Sequence, residues 1–196
     1  MTDDFKILTK PTEQEMFMLN AVLTNDHLRD VCRIFKEHIS GAANDDHAPT
    51  LLDVGARNSK LIPFFANLGF HYFGVDINPQ GSSLMRGSME KLPFNDESFD
   101  IVFCSHTLEH SENIIQALKE MKRVLRSSGT LFIATPYHCH YQIFECDKTH
   151  LLVPTKEQMT RLFQYLGIVP FKIEYVNVEG QEERFANLIS IGRVFT

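Results

Sequence analysis

From Thr50 onward, short apolar runs alternate with amphipathic helical stripes, and this alternation restricts the chain to a parallel sheet covered by helices. Leu51 to Val54, Tyr72 to Val75, Ile101 to Cys104 and Thr130 to Ala134 read as strands, the last halted by Pro136. Between them, Leu61, Ile62, Phe64, Phe65 and Leu68 form a helical stripe closed by Gly69. Ile114, Ile115, Leu118, Met121, Val124 and Leu125 form a second, read as capped by Ser111 and stopped near Gly129. Thr155-Lys156-Glu157-Gln158 is a capping box, and the helix it opens carries Met159, Leu162, Phe163 and Leu166 and ends at Gly167. Two closing strands, Phe171 to Val178 and Phe185 to Val194, flank Gly180 and predict an antiparallel hairpin. Only Pro79 to Met85 lies between the second strand and Arg86-Gly87-Ser88. A crossover needs about 10–12 residues, so the helix after the second strand is predicted to shrink to a turn.

Ahead of this unit, Thr12-Glu13-Gln14-Glu15 fits another capping box, and Leu28, Val31, Cys32, Phe35 and Ile39 recur at helical spacing. Ser40 to His47 reads as a linker. The division is a helical cap over residues 1–47, with Phe5, Met16 and Phe17 available as a lid, and one compact unit over 48–196.

Two acids punctuate the first strands. Leu51-Leu52-Asp53-Val54-Gly55-Ala56-Arg57 ends a strand in a glycine-bearing turn, and Gly74-Val75-Asp76-Ile77-Asn78 ends the next in an acid. A strand, a glycine turn and an acid closing the following strand form a nucleoside-binding layout: backbone close to the ligand, carboxylate on ribose hydroxyls. A nicotinamide dinucleotide fits poorly. Counting GxGxxG from Gly55 puts Arg57 and Lys60 at the second and third glycines, where a pyrophosphate needs bare backbone. Asp53 at the strand end would also repel a diphosphate and attract an ammonium group.

Charge narrows the partners. Lys and Arg number 19 and Asp and Glu 25, so the net charge is 19 − 25 = −6. That balance argues against general attraction to nucleic acid and favours a small or uncharged acceptor. The four cysteines, Cys32, Cys104, Cys139 and Cys146, have no CxxC spacing and read as free thiols of a reducing compartment. No apolar run reaches the roughly 18 residues of a membrane helix, and Met1 to Lys6 is not a secretion leader, so the chain reads as cytoplasmic.

A third block, Leu92-Pro93-Phe94-Asn95-Asp96-Glu97-Ser98-Phe99-Asp100-Ile101-Val102, runs on to Leu108-Glu109-His110 and to Lys122-Arg123-Val124-Leu125 before Gly129-Thr130-Leu131. Together with the two acidic turns, these residues resemble the class I S-adenosylmethionine-dependent methyltransferases from about Thr50 to Gly167, and within them the small-molecule branch that includes ubiquinone-biosynthesis methyltransferases. The resemblance implies an α/β fold: a Rossmann-like three-layer sandwich on a mostly parallel seven-stranded sheet, with S-adenosylmethionine across the carboxyl ends of the strands. Carried over residue by residue, it puts Asp53 and Gly55 at the methionine end, Asp76 on the ribose and Ile77 against the adenine. Ser88 and Met89 fall at the adenine edge, and Ser105 and Leu108 near the sulfonium. This chain departs from the family at Arg57 and Ser59, where glycines are usual, and at Ser88, where an acid is usual. Arg57 pairs with the cofactor carboxylate, faces the sulfonium, where like charges would repel, or points to solvent.

Methyl transfer from a sulfonium needs positioning more than catalytic groups; a base is needed only for a protonated acceptor. His106, His110, Tyr137, His138, His140 and His150, all in or near loops after strands, are the candidates. His138, Cys139, His140, Cys146 and His150 match no standard zinc spacing, so no metal is expected. The reading is thus a methyltransferase with a small-molecule acceptor. A methyltransferase-like binding domain without turnover, motivated by Arg57, Ser59 and Ser88, and a protein or RNA methyltransferase stand as the alternatives.

Overall fold

The computed structural model describes residues 26–39, 48–58, 60–138, 147–177 and 185–195. Seven strands form one sheet: β1 (Thr50–Val54), β2 (His71–Asp76), β3 (Met85–Arg86), β4 (Phe99–Ser105), β5 (Leu125–His138), β6 (Ile168–Asn177) and β7 (Phe185–Val194). Their order is β3-β2-β1-β4-β5-β7-β6. β1 to β5 pair in parallel, and β7 runs antiparallel between β5 and β6. The expected mostly parallel seven-stranded sheet with a closing antiparallel hairpin is therefore present.

Consecutive strand residues feed opposite cores. Leu52, Val102, Leu131, Ile133 and Leu188 face one side, where α3 (Ile114–Val124) and α4 (Lys156–Tyr165) supply Leu118, Met121, Met159 and Phe163. Leu51, Ile101, Phe103, Phe132 and Ile189 face the other, where α1 (Asp26–Ile39) and α2 (Ile62–Asn67) supply Val31, Phe35, Phe64 and Phe65. Burial on both faces explains why these strands read as continuous apolar runs rather than alternating ones. The second face is closed by aromatic rings meeting edge to face: the Phe35 ring lies 5.2 Å from Phe65, 5.3 Å from Phe132 and 5.5 Å from Phe103.

Most of the local expectations hold. Between Asp76 and Met85 there are only turns and bends, as the short connection requires. Thr155 and Gln158 form the reciprocal capping box of α4. Three expectations need correction. The cap of α3 is Asn113, whose side chain accepts from the Gln116 amide; Ser111 instead binds Glu90. α3 stops at Val124, five residues before Gly129, because Leu125 already pairs with Phe99 of β4. β5 also runs through Pro136 to His138. Its pairing with β4 ends at Ala134, so further on β5 has only β7 beside it, where a residue without an N–H is tolerated. The residues of the expected lid, the first capping box and the 40–47 linker lie outside the described residues.

Candidate functional site

The sheet order reverses between β1 and β4: α2, after β1, packs on one face, and α3, after β4, on the other. Open α/β sheets bind ligands at the carboxyl strand ends beside such a switch point. A cavity of about 560 Å³ opens there, lined by the loops after β1, β2, β3 and β4. Its size lies within the roughly 300–1,000 Å³ of small-molecule sites.

The glycine turn after β1 forms the cavity's floor. The amides of Gly55 and Ala56 both donate to the Val75 carbonyl, at 2.8 and 3.1 Å, pulling the loop over the end of β2. Gly55 has φ of 84°, and a β-carbon there would overlap the Thr107 side chain, so the site requires glycine on two counts. Arg57 is also left-handed, with φ of 43°, a conformation that costs an ordinary residue about 1–3 kcal/mol. It aims the Arg57 amide at Asp76 Oδ2, 3.0 Å away, while the Asn78 amide donates to Oδ1 at 2.7 Å. Each oxygen keeps a second lone pair for a ligand hydroxyl. Ile77, 68% exposed, lies beside Asp76 as an apolar surface for a flat ring. Ser88, Met89, His106, Thr107 and His110 also line the cavity.

Residues 52–133 match the family described as "Methyltransferase domain". This segment holds the glycine turn, both acids and the loop after β4.

Over this segment the chain is similar to the class I S-adenosylmethionine-dependent methyltransferases.

A demethylmenaquinone methyltransferase of Chlorobaculum tepidum is 29% identical over 102 residues, covering 46% of this chain and 42% of that protein. A tRNA U34 carboxymethyltransferase of Nautilia profundicola is 25% identical over 207 residues, covering 96% of this chain and 64% of that protein. The chain thus spans less than two thirds of the length of these curated relatives. A solved SAM-dependent methyltransferase from Aquifex aeolicus superposes with a TM-score of 0.63 at 15% identity, over 90% of this chain and 98% of that one, a likeness of fold. S-adenosylmethionine is the cofactor of such methyltransferases.

In the strand-end cavity the structure brings together Gly55, Arg57, Asp76, Ile77, Ser88, Met89, His106 and His110. Asp53, Ser105 and Leu108 do not line it. Asp53 shares the parity of Leu51 and is buried, its Oδ2 accepting from the Tyr72 hydroxyl at 2.8 Å. Leu108 is buried in the α3 core, and the Ser105 hydroxyl is buried without a hydrogen-bond partner among the described residues. His140 lies outside the described residues, as does the side chain of His138. Asn78 and Thr107 escaped the sequence reading. Asn78 carried a legible sign, since an acid two residues before it favours an Asx turn.

Burial pushes the Asp53 carboxyl up to about 7; the Tyr72 hydroxyl pulls it down and the Asp76 charge adds to the rise. An unfolded aspartate loses its proton near pH 4 (about 3.9). Between about 4 and 7 the folded chain holds a proton that the unfolded chain has released, so this group's contribution to stability falls as pH rises through that window and is fully lost above it. Asp53→Asn keeps an acceptor for Tyr72 and removes the titration. The variant should be more stable than wild type at pH 8, by up to about 4 kcal/mol in urea unfolding. The difference should vanish towards pH 4.

The loop after β4 holds a second cluster. Leu108–His110 is a single 3-10 turn that points Glu109 inward, 1% exposed. The amides of Leu151 and Leu152 donate to the Glu109 carbonyl at 2.8 and 3.3 Å, clamping the segment before α4 onto this turn. His150 Nε2 is thereby held 4.0 Å from Glu109 Oε1, and His106 Nδ1 lies 3.9 Å from the same atom. Burial pushes Glu109 up to about 8. Of these residues, sequence reasoning assigned the histidines and passed over the glutamate.

Proposed function

We propose that the chain transfers the methyl group of S-adenosylmethionine to a small-molecule acceptor by in-line displacement. The observation that carries this reading is the strand-end cavity in which Asp76 and His106 share one wall-lined space. Asp76 holds the ribose and the apolar Ile77 the adenine, which leaves the sulfonium towards the loop after β4. The acceptor atom attacks the methyl carbon, the acceptor–carbon bond forms as the sulfur–carbon bond breaks, and sulfur leaves neutral. Holding both partners in line is worth roughly 7–11 kcal/mol. Where the acceptor arrives protonated, His106 takes the proton. His106 lines the cavity, and its Nδ1 lies 3.9 Å from the Glu109 carboxylate. We also place the chain in the cytoplasm. Among the described residues no helix is long and apolar enough to cross a membrane, and Cys32 and Cys104 are free and buried.

An RNA acceptor is the second reading, favoured by the tRNA-modifying relative that matches 96% of this chain. The full chain incubated with S-adenosylmethionine separates the two. Release of S-adenosylhomocysteine should rise with a panel of phenols, quinols and amines, and stay at the background rate with total tRNA. Turnover on tRNA alone establishes the second reading, and cofactor binding without turnover on either returns the domain to a binding role.

A further inference from the structure

The Glu109 cluster contains more than a methyltransferase loop requires. Both carboxylate oxygens of Glu109 are buried without a hydrogen bond among the described residues. Burying a carboxylate in this way is costly unless a cation meets it. Three imidazoles converge on it instead. One ligand atom each from Glu109, His110 and His150 lie within 4.8 Å of one another. The rings of His110 and His150 lie 4.9 Å apart. His110 Nδ1 lies 3.1 Å from the Thr149 carbonyl oxygen and 3.0 Å from the Thr149 hydroxyl oxygen, which spends its own proton on Asp147 Oδ1; two acceptors at Nδ1 hold the ring proton there and leave Nε2 as an electron-pair donor. A metal-bound histidine is commonly fixed in this way, by a backbone carbonyl on its other nitrogen. Asp147 Oδ2 stands 3.9 Å from His150 Nε2 as a second, outer carboxylate.

We propose that Glu109, His110 and His150 bind a divalent first-row transition ion, with His106 and Asp147 around it. Imidazole and carboxylate together suit zinc and its neighbours rather than magnesium or calcium. Ligands about 2.1 Å from one tetrahedral ion stand about 3.4 Å apart, so side-chain adjustments of up to about 1.4 Å close the set. Three protein ligands leave a further position open. His110 also lines the cofactor cavity, so that position is offered to an oxygen of the methyl acceptor. The ion site stands without the proposed methyl transfer; only its service to the acceptor rests on that reading.

The full chain, stripped with a chelator and free of cofactor, is titrated with Zn²⁺ by calorimetry and with Co²⁺ by visible absorption. One equivalent should bind, with the ligand-field bands of a bound Co²⁺. His110→Ala and His150→Ala should each weaken binding at least tenfold, and His71→Ala, on an exposed residue at the start of β2, should leave it unchanged. Absence of binding to wild type overturns the proposal, whatever the variants do. Undiminished binding in both His110→Ala and His150→Ala, checked for folding by circular dichroism, overturns it as well. S-adenosylhomocysteine binding is measured in a separate titration, so a failure of the cofactor reading is distinguishable from a failure of the metal site.

Discussion

Asp76→Ala should weaken S-adenosylhomocysteine binding at least a hundredfold in a calorimetric titration. Asp76 closes β2 at the cavity, and both of its oxygens already accept a loop amide. If its remaining lone pairs take the two ribose hydroxyls, two hydrogen bonds to a charged group are lost at about 1.5–3 kcal/mol each. The alanine also releases the Arg57 amide, which removes the restraint holding the left-handed turn against β2. Both effects act in the same direction. Asp76→Asn preserves the shape and one acceptor oxygen, and its loss should fall between alanine and wild type. Equal affinity in all three proteins would show that the ribose lies elsewhere.

Phe35→Ala should destabilise the chain by roughly 3–5 kcal/mol, measured by urea unfolding, the cost of emptying a buried aromatic site. Phe35 is fully buried, and its ring meets Phe64 and Phe65 of α2, Phe70, Phe103 of β4 and Phe132 of β5. It joins α1 to the central strands, so its removal opens a cavity that rigid neighbours fill poorly. Phe35→Leu keeps much of the volume and should cost less than half as much. A loss below about 1 kcal/mol in the alanine variant would mean that α1 contributes little to the core, against the deep burial of Val31 and Phe35.

The parts of this fold that were legible are those governed by local chemistry. Gly69 and Gly167 adopt left-handed conformations just after their helices, as the helix-stop reading requires. The Thr155 box caps α4, and Asp76 and Gly55 stand together in the cavity. What was not legible depends on contacts between distant segments. Pro136 stops a strand in an isolated reading, yet β5 passes through it because β4 has already ended. Asp53 looks like a ligand from its place in the turn, but strand parity sends it towards Tyr72. The most specific motif is largely scaffold. Arg123 of α3 holds the Leu92 and Phe94 carbonyls and Asp96, and Asp100 binds Thr50 and Arg126 at the strand end away from the cavity. Such a block identifies the family through its architecture rather than its chemistry. Glu109 shows the reverse: an unassigned residue in a quoted motif becomes the centre of a histidine cluster once Leu151 and Leu152 pin His150 beside it.

The central claim is that the space between the loops after β1, β2, β3 and β4 accepts an amino-acid-bearing nucleoside. Calorimetry of the wild-type chain with S-adenosylhomocysteine, run beside NAD, measures this directly. One molecule of S-adenosylhomocysteine should bind per chain, and NAD should give no heat. Silence at millimolar S-adenosylhomocysteine, or a preference for NAD, contradicts the claim.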